Sequence, residues 1–239
     1  NSGFTGSLTG SNNFVSSTPS ITTSQWSGSM GALAITQTST LIQDKFYLKV
    51  KVKFHNQGTS PLNDIYYMRT VDPDNDVAFT NNFNTINEIE YQLPNLEHKA
   101  IIGCTSTIDS NAYLALGAID CRAKVFIIDS MSLFPPDTSL AILYANHPDL
   151  LYANSLTIDV GVGLIYNIGT ILPGDSTEIN FVYILNKNQV NEALEEIKPL
   201  WLNNGVTTLN NDTIFACANS IVPVSIVNNN NLIWNWSST

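Results

Sequence analysis

The chain is poor in charge, in cysteine and in long apolar runs, and each shortage excludes something. Only 13% of its 239 residues are charged, and ten Lys and Arg face twenty Asp and Glu for a formal charge of −10. A surface of that sign repels phosphate, which argues against nucleic acid or an anionic membrane as partner and in favour of cations. Three cysteines, Cys104, Cys121 and Cys217, are too few for a disulfide scaffold. Cys104 and Cys121 lie on two adjoining apolar segments, so either they face each other and close a short loop or both are buried free thiols. The three histidines, His55, His98 and His147, have no partner at the spacing of a zinc site. No apolar run reaches the ~18–20 residues that span a bilayer, so no membrane insertion is expected. Nucleophile elbow, P-loop, HExxH and dinucleotide fingerprints are all missing. Glu88 and Glu90 offer a carboxylate pair of the kind glycosidic chemistry uses. Such pairs are common, and catalysis is not expected.

What is present is alternation. From Phe46 to Phe54 the chain places Phe46, Leu48, Val50, Val52 and Phe54 on one side and Tyr47, Lys49, Lys51 and Lys53 on the other, the period of a half-buried strand. Short β-rich segments recur with turn signals between them: Ala32–Ile42, Asn81–Gln92, Ala100–Cys104, Tyr113–Leu116, Ala123–Ile128, Leu156–Tyr166 and Thr177–Leu185. That spacing predicts an all-β fold, a large antiparallel β-sandwich. A helical turn is expected around His147-Pro148-Asp149. The period changes to helical over 188–200, where Val190, Ala193, Leu194 and Ile197 share a face and Glu192, Glu195 and Glu196 point outward. Residues 1–31, rich in Ser, Thr, Gly and Asn, read as an edge strand and loop or as a strand that pairs with a neighbour.

The strongest chemical signal follows the second apolar run, Ile65–Met68. There Asp72, Asp74 and Asp76 alternate along one loop, with Asn75 able to add an amide oxygen. Hard cations take several oxygen ligands at about 2.3–2.6 Å, so this loop is a candidate calcium site, although it lacks the Gly and Glu of an EF-hand. The competing reading is an acidic turn in which the aspartates cap backbone N–H groups. Arg69 beside the loop is a candidate ion-pair partner for one of them. Trp26, Tyr66, Tyr67, Trp201, Trp234 and Trp236 are the aromatics that a sugar-binding surface would use.

Three stretches carry a family resemblance. FHNQGTSPLNDIYYMRTVDPDND, Leu172-Pro173-Gly174-Asp175-Ser176 with its following aromatic strand, and Asp212-Thr213 through Trp234-Asn235-Trp236-Ser237 together resemble the repetitive surface proteins of Bacteroidetes-type bacteria, including gliding-motility adhesins. The resemblance implies a β-sandwich over 1–200, then a linker and the first hairpin of an Ig-like domain over 201–239, unless those last strands complete the first sandwich. It also implies a non-enzymatic, extracellular segment of a long filament, with neighbouring domains or subunits of the same protein as partners and surface glycans as further ones. The chain begins at Asn1 without methionine, which fits a processed product or a segment of something longer. The alternative function is a carbohydrate-binding or carbohydrate-processing β-sandwich, which demands a concave groove with exposed rings.

Overall fold

Alternating β-branched and aromatic residues pair into strands because each such segment has one face to bury. The computed structural model describes residues 9–92, 97–128, 140–146 and 155–198, apart from the side chains of Phe14, Ile128 and Asn146. The described residues belong to one unit, residues 1–197, with only Lys198 beyond it. Residues 199–239, with the expected Ig-like hairpin and Cys217, lie outside them, as does the turn expected at His147-Pro148-Asp149.

Twelve strands occupy the described residues: β1 (Thr9–Ser17), β2 (Ile21–Met30), β3 (Leu33–Ile42), β4 (Tyr47–Asn56), β5 (Leu62–Val71), β6 (Thr85–Tyr91), β7 (Lys99–Ser106), β8 (Tyr113–Ile119), β9 (Ala123–Ile128), β10 (Ser155–Ile158), β11 (Gly161–Ile171) and β12 (Ser176–Ile184). Nine form a sheet in the order β1-β2-β3-β4-β12-β8-β7-β6-β10, and three form a second sheet, β5-β11-β9. All of their pairings are antiparallel. The architecture is therefore the expected antiparallel sandwich, with sheets of very unequal width. Of the stretch expected to form an edge strand, residues 9–30 contribute β1 and β2 to the wide sheet as its edge hairpin.

The core lies between the sheets. Val50, Val52 and Phe54 of β4, Ile179 and Phe181 of β12 and Leu164 and Tyr166 of β11 are all fully buried there. Tyr67 of β5 bridges the layers, with its ring 5.7 Å from that of Phe54 and 6.0 Å from that of Phe181. The Tyr166 hydroxyl donates to the Asn180 carbonyl at 2.9 Å, so this buried phenol is satisfied.

Three short helices occur among the described residues: α1 (Val77–Thr80), α2 (Leu140–Asn146) and α3 (Val190–Glu195). The helix expected over 188–200 is α3, preceded by a 3-10 turn at Lys187–Gln189. Val190, Ala193 and Leu194 bury against the wide sheet, and a methyl on Gly117 would sit 3.1 Å from Leu194. Glutamates of α3 and its C-cap reach lysines of β4 and of the residues before it: Glu196 pairs with Lys49 at 2.7 Å, and Glu192 with Lys45. That helix also overturns one expectation. Tyr47 is buried at 1% exposure while Phe46 stands 57% exposed, the reverse of the simple alternation, because the end of β4 meets α3 on what had read as its water face.

Two further expectations are corrected. Leu156–Tyr166 reads as one alternating strand, but the chain breaks at Asp159-Val160 and passes from β10 in the wide sheet to β11 in the narrow one. Cys104 and Cys121 are neither joined nor both free: Cys104 is a buried free thiol, and Cys121 is disulfide-bonded.

Candidate functional site

The register of the narrow sheet builds an acidic rim. Val71, the last residue of β5, pairs with Val162 near the start of β11. Residues just after Val71 and just before Gly161 are thereby forced together at one end of the sandwich. The carboxylates of Asp72, Asp74 and Asp159 converge, with oxygens all within 4.8 Å of one another. Asp72 and Asp159 are exposed, and Asp74 is half-buried.

Asp74 is the unusual member. Its Oδ1 is buried and has no hydrogen-bond partner. Burial, reinforced by the charges of Asp72 and Asp159, pushes its carboxyl above the usual carboxylate range. An ionised oxygen in that position is costly unless something positive faces it.

Asp76 and Asn75 sit elsewhere. The Asp76 carboxylate accepts from Ser106 Oγ at 2.7 Å and from Thr80 Oγ1 at 3.1 Å, which ties the loop to β7 and to α1. Asn75 donates through Nδ2 to the Cys104 carbonyl at 2.8 Å. Asp76 adopts φ 62°, a left-handed turn that Asp tolerates better than most residues. These two side chains are therefore anchors that hold the loop in place. Arg69 forms no ion pair with the aspartates; its Nε donates to the Tyr183 hydroxyl at 2.7 Å. Sequence reasoning missed Asp159, whose only signal was its place between two apolar runs.

Among the other carboxylates, Glu90 and Asp120 have structural partners. Glu90 accepts from the Tyr113 hydroxyl at 3.0 Å. Arg122 grips Asp120 with two hydrogen bonds, at 3.0 and 2.7 Å, and reaches across to Thr177 Oγ1 at 2.9 Å. Of the aromatics, Trp26, Tyr66 and Tyr67 line one groove. Trp201, Trp234 and Trp236 lie outside the described residues.

The molecule is thus an antiparallel β-sandwich that carries a carboxylate cluster at one end. No family model matches the chain, and no curated protein does. Solved structures with some likeness include a protein assigned as an aldose 1-epimerase from Klebsiella pneumoniae, at 9% identity, TM-score 0.34, and 74% of this chain against 54% of that one. A GH36 alpha-galactosidase, AgaB, from Geobacillus stearothermophilus aligns at 8% identity and TM-score 0.39, over 78% of this chain and 29% of its own. A TPR-domain containing protein from Parabacteroides distasonis aligns at 9% identity and TM-score 0.39, over 75% and 34%. The chain thus spans between about a third and about half of the lengths of these proteins, and likeness at this level carries no argument about activity. No helix among the described residues is long and apolar enough to cross a membrane.

Proposed function

We propose that the chain is a non-enzymatic, structural and adhesive segment of a long bacterial extracellular surface protein, stabilised by a calcium ion held by Asp72, Asp74 and Asp159. The observation that carries the cation half is the convergence of three carboxylates around the unpartnered Oδ1 of Asp74. Calcium takes six to eight oxygens, and carboxylates bind it through one oxygen or two. Three such groups supply three to six ligands, and water completes the shell. The ion would tie the loop after β5 to the crossover from β10 to β11, and so pin together two connections that pass between the sheets at one rim.

The adhesin half rests on the motif resemblance and on the acidic, lysine-poor surface, which suits cation-rich extracellular fluid. Carbohydrate processing is disfavoured, because the groove lined by Trp26 carries no carboxylate among the described residues and Glu90 is engaged by Tyr113. Two measurements test the proposal. Titration calorimetry with calcium should show one saturable site that Asp74→Asn weakens at least tenfold, and antibodies against the chain should label intact, unpermeabilised cells. Absence of calcium uptake removes the clamp. Labelling only after permeabilisation removes the surface assignment.

A further inference from the structure

The wide sheet outruns the narrow one. β5 is the edge of the three-stranded sheet, and residues of β2 and β3 of the wide sheet line a groove along that edge. Trp26, Ile35 and Gln37 on this overhang face Tyr67 and Arg69 of β5 across a groove of about 440 Å³. That volume falls in the range of about 300–1,000 Å³ typical of small-ligand sites.

Three features of the groove point to its occupant. First, the indole of Trp26 lies across two glycines, Gly10 of β1 and Gly28 of β2, which are direct partners in the sheet. A methyl on either glycine would overlap the ring, so only glycine at both positions lets the indole lie on the backbone. Its other side is left half-exposed toward the groove. Second, Arg69 spends only its Nε, on the Tyr183 hydroxyl, and its terminal amino groups have no hydrogen bond or ion pair among the described residues. A guanidinium fork with both arms available suits a carboxylate. Third, Arg69 is the only charged residue lining the groove among the described residues, in a chain whose net charge is −10.

We propose that this groove binds a saccharide bearing a carboxylate, of uronate or sialate type. A pyranose face stacks on Trp26, the carboxylate meets the terminal amino groups of Arg69, and Gln37 and Asn12 receive ring hydroxyls. The apolar C–H face of a sugar matches an aromatic plane, and the amides supply orientation. The proposal does not depend on the calcium site, which uses none of these residues.

The test is an array printed with galacturonate, glucuronate and sialate oligosaccharides beside neutral galactose and glucose oligomers. Its best acidic ligand is then titrated calorimetrically. We expect saturable binding of the acidic glycans, a loss of at least tenfold in Trp26→Ala, and loss of the acidic-over-neutral preference in Arg69→Gln. Gly28→Val, which keeps the indole but removes its platform, should match Trp26→Ala, and unchanged melting of either variant separates lost binding from lost fold. In the unaltered protein the ligand should change tryptophan fluorescence, and Trp26→Phe should abolish that change. No saturable binding to any printed glycan overturns the proposal. Equal binding of the neutral counterparts overturns the carboxylate assignment. Concentration-dependent self-association that Gly28→Val abolishes, with no glycan bound, would give the groove to a strand of a second copy instead.

Discussion

Replacing Asp159 by asparagine should stabilise the protein without calcium and destabilise it relative to the unaltered chain once calcium is added. The three carboxylates lie within 4.8 Å of one another, so Asp159 takes part in two repulsive pairs. At that separation each pair costs about 0.9 kcal/mol in water and about 3.5 kcal/mol at an effective dielectric constant of 20. Asp72 and Asp159 are exposed, so the lower figure governs. Removing one charge then relieves roughly 1–2 kcal/mol, or several degrees in Tm for a domain of this size. Calcium at a hundredfold excess over its Kd adds about 2.7 kcal/mol to a chain that binds it. The amide in Asp159→Asn retains an oxygen but not the charge, so the variant gains far less and the order of the two melting curves inverts. Thermal unfolding of both proteins, first in chelator and then in millimolar calcium, reads the crossing directly. If the variant melts below the unaltered protein in chelator, or if calcium moves neither curve, the reasoning fails.

The same rim has a pH signature. The folded-state pKa of Asp74 is raised, so the folded chain holds this proton more tightly than the unfolded one. Its contribution to stability is present below the ordinary carboxylate value and is lost as pH rises through the folded value. The stability difference between the unaltered chain and Asp74→Asn, measured in chelator from about pH 4 to 7, should therefore fall with rising pH; a flat difference contradicts the assignment. Arg122→Ala breaks a pair whose side chains are 25% and 12% exposed and strands the Asp120 carboxylate, so urea unfolding should show a loss of about 2–3 kcal/mol. In Gly163→Ala the added methyl would overlap the Phe126 ring, an overpacking cost of about 1–3 kcal/mol. Phe126→Leu in the same chain should recover part of it. Burial pushes the Cys104 thiol far up, so this side chain should resist thiol reagents until the protein unfolds; rapid labelling of the native chain would contradict its placement.

Much of the fold is legible in the residue pattern. The alternation of Val50, Val52 and Phe54 places β4 with its apolar side inward, and the β-rich segment Ala32–Ile42 forms β3, which pairs with β4. The shift from period two to a helical period marks α3. What the pattern misreads are positions covered on both sides: Tyr47 is polar enough to look like a surface residue until α3 closes over it. The acidic rim was legible as a cluster of aspartates but not in its membership. Asp72 and Asp74 lie together with Asp159, whereas Asp76 and Asn75 hold the loop through Ser106, Thr80 and the Cys104 carbonyl rather than by capping backbone N–H groups.

The third carboxylate shows where local pattern ends. Asp159 lies far along the chain from Asp74, and nothing between them announces that they meet. Their meeting follows from one register, Val71 against Val162, and from the break that sends β10 and β11 into different sheets. Residue order alone selects the segments that become strands, because side-chain alternation defines a buried face within a few residues. Which strands share a sheet, where one sheet overhangs the other, and therefore which charges and rings face each other, is settled only when the chain has packed. Those outcomes depend on pairings between distant segments, and a strand's own residues specify its faces but not its neighbours.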